Sequence, residues 1–186
     1  MLYAWNSNGL SQIVRHALTS DGIFLLKSED WDPVSALTDA TICYADASMG
    51  GMAFWYPELQ LGYQCHVSPS LSVPIFYWES VAVACAMISP TTPHSSCFVV
   101  YTDNQNTVDI WHSLKAYVPY NTTLILAIDW LIPNKIDAHV LCVPSIKNTV
   151  ADALSQFNNS LALQLVPGLR FGLFETPCAL LDTFKK

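Results

Sequence analysis

Residues 41–48 read Thr-Ile-Cys-Tyr-Ala-Asp-Ala-Ser, and the assignments along the rest of the chain follow from how they are taken. The run from Thr41 to Tyr44 is rich in β-branched and aromatic types and reads as a strand. Asp46 then falls where an apolar residue is expected, and a carboxylate in a buried strand is costly unless something pairs with it. Gly50 and Gly51 make a turn, and residues 51–57 read as a second strand. An acid is thereby held on a rigid sheet beside a tight turn. Taken alone, Asp46 reads as an ordinary turn or strand-end residue. Its meaning depends on how many other acids occupy comparable places.

Working outward, residues 60–67 continue an antiparallel meander as a third strand. Residues 76–89 are too long and too unbroken for one strand; with Ala82, Ala84, Ala86 and Met87 they read as a buried helix stopped by Pro90. Glu79 falls in its predicted first turn, where a single carboxylate is favoured by the helix dipole. Residues 97–102 form a continuous apolar strand, the pattern of a sheet centre covered on both faces. That strand runs into Asp103 and Asn104, which open a helix to about residue 115; Asp103 alone reads as its N-cap. A helix over 121–131 ends before Pro133, and 135–143 is a strand with Ile136, Ala138, Val140 and Cys142 on one face. Residues 148–157 form a last helix carrying Asp152, which alone reads as a solvated position.

The order β-β-β-α-β-α-α-β-α predicts an α/β fold with a five-stranded mixed sheet, three strands antiparallel and the rest parallel, and helices on both faces. The domain spans 39–158. Before it lies a lead-in of residues 1–38, with a short helix at 13–18, a short strand at 22–26 and a polar connector at 29–33. After it comes a tail, 159–186, which Pro167, Gly168 and Pro177 mark as irregular. The apolar content of both flanking segments favours docking over free tails.

The chain has 186 residues, 52% of them apolar and only 12% charged, which excludes a disordered protein. With a net charge of -7, and three of its eight basic residues (Lys115, Lys135, Lys147) inside 39–158, it is no strong free-standing polyanion binder. Six cysteines without C-x-x-C spacing read as buried reduced thiols in an intracellular setting, cytoplasmic or nuclear, and argue against a zinc site. No signal peptide and no apolar run of membrane-spanning length is expected.

Acids thus lie at the first strand, the first helix, the end of the fourth strand and the last helix. Parallel central strands would set Asp46 beside Asp103, and a helix across that edge would add Glu79. Like charges so close require a hard divalent cation with oxygen ligands, for which Mg²⁺ is the natural choice.

Four motifs carry a family resemblance: Tyr44-Ala-Asp-Ala-Ser-Met-Gly-Gly51, Trp78-Glu-Ser-Val-Ala-Val83, Tyr101-Thr-Asp-Asn-Gln105 followed by Val108 and Trp111, and Val143-Pro-Ser-Ile-Lys-Asn-Thr-Val-Ala-Asp-Ala-Leu-Ser155. In order and on these elements, they resemble the ribonuclease H domain of retrotransposon reverse transcriptases, especially tyrosine-recombinase and related fungal-type elements. The resemblance covers about residues 39–158 and implies a ribonuclease H-like fold. It implies endonucleolytic hydrolysis of the RNA strand of RNA–DNA hybrids by a two-metal-ion mechanism, with Mg²⁺ as cofactor and Mn²⁺ as substitute. Asp46, Glu79, Asp103 and Asp152 match the family's metal-binding acids. Ser48, Asn104, Gln105 and Asn148 are candidates for substrate contact, and Asn148 alternatively fixes the turn before the last helix. The implied partners are the hybrid and a reverse transcriptase polymerase domain, with no membrane.

The chain departs from relatives in carrying Ser145 where many have Gly, Gln156 where several have Arg, and no His within 143–151; His139 reads as structural. A second reading is a domesticated, catalytically inactive binding module for nucleic acid or protein. A 3′–5′ exonuclease of the same superfold would carry a second acid two residues after Asp46, where Ser48 stands.

Overall fold

The computed structural model describes residues 40–67, 73–89, 97–117 and 120–178. The expected helix, strand and connector within 1–38 lie outside these residues.

Three strands open the described chain: β1 (Thr41–Ala47), β2 (Gly51–Tyr56) and β3 (Leu61–His66). They form an antiparallel meander in which Asp46 pairs with Ala53 and Gly51 with His66. Then come α1 (Ile75–Ile88), β4 (Cys97–Thr102), α2 (Gln105–Ser113), α3 (Thr122–Leu131) and β5 (Asp137–Cys142). A 3₁₀ turn (Ser145–Lys147), α4 (Thr149–Ser155), α5 (Asn159–Leu165) and β6 (Arg170–Leu173) complete it. The strand order is β5-β4-β1-β2-β3-β6, with β4 parallel to both β1 and β5.

This is the mixed arrangement that the sequence predicts, an antiparallel meander followed by parallel strands, with one correction: among the described residues the sheet has six strands, not five. Residues 159–173, expected to be irregular, form α5 and then β6, which pairs in parallel with β3 from Leu61↔Arg170 to Gln64↔Leu173. Pro167 and Gly168 break only the link between the two elements, where Gly168 has φ 94°. A four-residue strand is too short to show its alternation in sequence; pairing with β3 creates it.

The core has two parts. The larger packs α1 and α3 against Cys43, Ala45, Phe54, Tyr56, Phe98 and Val100 of the sheet. Every residue of α1 from Tyr77 to Met87 is buried, which explains a helix apolar on all sides. The Tyr56 hydroxyl donates to Ala86 O at 2.7 Å, satisfying a buried polar atom within that core. The smaller part lies on the other face, where Ala53, Val150, Ala153, Leu154, Ala162 and Leu169 join β2 to α4, α5 and the start of β6. Helices therefore cover both faces, as expected, and α4 is pinned over the β1–β2 turn.

Candidate metal centre

Asp46 is the sixth residue of β1 and points to the sheet end where β4 also finishes. The parallel register Tyr44↔Tyr101, continued by two residues, sets Asp46 beside Asp103 at the exit of β4. α1 crosses that edge and delivers Glu79. Carboxylate oxygens of Asp46, Glu79 and Asp103 all lie within 4.8 Å of one another. Asp46 and Glu79 are each 5% exposed; Asp103 is half-buried.

Such a cluster is electrostatically uncomfortable. Burial pushes the Asp46 carboxyl up to about 7, and the charges of Asp103 and Asp152 add to the rise, opposed by hydrogen bonds from Ser155 and Asn148. Burial, then Asp46 and Asp103, push Glu79 up to about 9 against hydrogen bonds from the Ala47 backbone and the Thr102 hydroxyl. The Thr102 bond is 3.4 Å long. Among the described residues no Lys or Arg forms an ion pair with any of these acids. Three crowded carboxylates with all-oxygen donors and no protein cation fit a hard divalent ion.

Asp152, the fourth predicted acid, lies outside the three-residue set. It is half-buried on α4, near enough for its charge to act on Asp46, and its Oδ1 accepts from Gln156 Nε2 at 2.6 Å. It flanks the cluster.

Glu79 lies beyond the first turn of α1, which holds no acid, so the helix-dipole reading fails and burial dominates. Asp103 does not cap α2: Asn104 does, its Oδ1 accepting from Thr107 N at 3.1 Å. That leaves the Asp103 carboxylate for the cluster.

The four residues considered for substrate contact have other partners here. Asn148 is fully buried, and its Nδ2 donates to Ala45 O at 3.1 Å and to Asp46 Oδ1 at 3.2 Å. Ser48 Oγ accepts from Gly50 N and Gly51 N at 3.1 and 3.2 Å and donates to Ser155 O at 2.9 Å. Gln105 is exposed and its Nε2 donates to Asp109 Oδ1 at 2.8 Å. Asn104 holds the cap of α2.

Sequence reasoning missed Ser155. It is fully buried, and its Oγ donates to Asp46 Oδ2 at 2.6 Å. The signal for it in the sequence is its place as the last residue of the Ala-Asp-Ala-Leu-Ser155 motif, three residues after Asp152.

The fold and its acid cluster define a mixed α/β protein with a candidate divalent-metal centre at one sheet end. No protein-family profile and no curated protein matches the sequence. Solved structures similar to this chain include the N-terminal RNase H domain of a Mycobacterium tuberculosis protein, fused to maltose-binding protein (TM-score 0.49, 15% identity, covering 69% of this chain and 99% of that one). RNase H1 of the halophilic archaeon Halobacterium salinarum is another (TM-score 0.49, 16% identity, covering 68% and 99%).

Proposed function

We propose that this chain is a divalent-metal-dependent ribonuclease H that cuts the RNA strand of RNA–DNA hybrids endonucleolytically and derives from a retroelement reverse transcriptase. The observation that carries the reading is the convergence of Asp46, Glu79 and Asp103, three segments distant in sequence, within 4.8 Å at one sheet end, flanked by Asp152. The four motifs support the retroelement origin.

Asp46, Glu79 and Asp103 would hold Mg²⁺, or Mn²⁺ in its place, and Asp152 adds a carboxylate toward a second ion. When bound, such ions supply charge neutralisation, a more acidic attacking water and stabilisation of the departing 3′ oxygen. The chain's own work is positional. Ser155 and Asn148 fix both oxygens of Asp46, and Thr102 and the Ala47 N–H hold Glu79. Ser48 ties the β1–β2 turn to the end of α4, so the turn and the helix bearing Asp152 move as one. Hybrid recognition would use 2′-hydroxyls and groove shape. With few basic residues, much of the grip would come from a polymerase domain in the same polyprotein. The cysteine spacing supports an intracellular site of action, although only Cys43 and Cys85 of the six expected buried thiols are buried; among the described residues no helix is long and apolar enough to cross a membrane.

The test is incubation of the purified chain with labelled RNA–DNA hybrid and duplex DNA in Mg²⁺ or Mn²⁺. Nicks in the RNA strand alone, ending in 5′ phosphate and 3′ hydroxyl, are expected. A folded preparation inert in both metals overturns the enzyme and supports the binding module, which the net charge of -7 also favours.

A further inference from the structure

We propose that Cys97, Asp137 and His139 form a second metal site, for Zn²⁺ or a comparably soft divalent ion, at the sheet end opposite the acid cluster. Cys97 opens β4, Asp137 opens β5, and the two are register partners in the parallel pair. His139 lies two residues along β5, so all three side chains share one face of the sheet. One donor atom from each, a thiol sulfur, a carboxylate oxygen and an imidazole nitrogen, lies within 4.8 Å of the others.

His139 is buried, and its Nε2 sits 3.0 Å from Asp137 Oδ2. Asp137 Oδ1 is itself buried and has no hydrogen-bond partner among the described residues. A buried carboxylate oxygen left without a donor costs free energy, and an ion removes that cost. Two ligands about 2.1 Å from a tetrahedral ion lie about 3.4 Å apart, so donors within 4.8 Å of one another need draw in by about 1.4 Å at most to hold zinc. Mixed S, N and O donors select a softer ion than the all-oxygen cluster does. Three protein ligands leave a fourth position for water. Coordination replaces the Cys97 S–H proton with the ion, and the proton leaves to solvent.

Cys97 and Asp103 stand at opposite ends of β4, about 20 Å apart at roughly 3.3 Å per residue. The two sites therefore load independently, and this one clamps the start of edge strand β5 to β4. The bland alternative is a hydrogen-bonded Asp137–His139 pair with a thiol nearby.

The test is titration of the full chain, freed of metal by chelation, with Co²⁺ and then Zn²⁺. One equivalent of Co²⁺ should give a thiolate-to-cobalt charge-transfer band and tetrahedral visible bands, both bleached by Zn²⁺. Asp103→Asn should keep the signal; Cys97→Ser should abolish the charge-transfer band, and His139→Gln should weaken binding tenfold or more. Metal-free melts check that each variant folds, and the wild-type titration decides without them. Absence of the charge-transfer band in the wild type, or its persistence in Cys97→Ser, overturns the site in favour of the bare hydrogen-bonded pair.

Discussion

Ser155 Oγ donates to Asp46 Oδ2 at 2.6 Å across 109 residues of chain, and this bond joins the last helix of the motif to the first strand. With Asn148 Nδ2 on the other oxygen, it holds a nearly buried carboxylate in one orientation. Ser155→Ala should cost about 1–3 kcal/mol of stability, the penalty for a buried acceptor losing its donor. Asn148→Asp should cost more, about 3–5 kcal/mol at neutral pH, because it adds an unpaired charge beside Asp46. Urea midpoints measure both, and hybrid cleavage should fall in each.

Asp103→Asn should lower cleavage by about 10²-fold or more, the scale for losing one charge-stabilising group. It should also raise the metal-free melting temperature, because the charge that presses on Asp46 and Glu79 is gone, and shrink the gain given by Mn²⁺. Calorimetry with and without Mn²⁺ reads both effects. A variant as active as the wild type would remove Asp103 from the site.

Metal-free stability should fall as pH rises. Folding lifts Asp46 from its ordinary 3.8 to about 7 and Glu79 from 4.5 to about 9, so the folded chain keeps protons that the unfolded chain has released. That stabilisation is whole below the ordinary values and is lost as pH climbs through the folded ones. Melting temperature in chelator should therefore drop between about pH 4 and about pH 9. Saturating Mn²⁺ should flatten the profile, and its affinity should rise with pH, since it displaces protons. A metal-free profile that climbs over this range would contradict the burial of these acids.

Gly51→Ala should destabilise by about 1–3 kcal/mol, the usual cost of overpacking. A Cβ there would meet the Phe157 ring at 2.5 Å, Cys65 O at 2.7 Å and Ser155 O at 2.9 Å. Two of these atoms are backbone and cannot swing away. The clash pushes on Ser155, so cleavage should fall together with the melting temperature.

A chain ending at residue 158 should be less stable by about 3 kcal/mol or more. It loses Ala162 and Leu169 from the smaller core and leaves β3 as an unpaired edge. A lower urea midpoint and concentration-dependent light scattering are the expected readouts. An unchanged midpoint would mean that α5 and β6 merely decorate the domain.

The legible parts of this chain were those with local signals. The unbroken run of β4, the β-branched and aromatic types of Thr41–Tyr44 and the Pro90 stop each place an element within one or two residues. β6 was missed because four residues between a Pro-Gly break and an acidic end carry too little pattern. Asn104 displaced Asp103 as the cap of α2 because both residue types suit that place, and only backbone geometry separates them. Cys97 gave no hint of a metal partner, because ligand spacing rules see neighbours in sequence while Asp137 lies in the next strand.

By itself the sequence determined the kinds and order of the elements from β1 to α4, since propensity and hydrophobic period act over a few residues. It also determined which four acids stand in these elements, Asp46 and Asp103 near the ends of two strands and Glu79 and Asp152 within two helices. Only the tertiary structure decided that Asp46, Glu79 and Asp103 meet while Asp152 stands beside them, and that Asn148 and Ser155 serve Asp46. Those facts depend on pairing and burial between segments far apart in the chain, where each side chain's environment is supplied by residues it cannot meet until the sheet has closed.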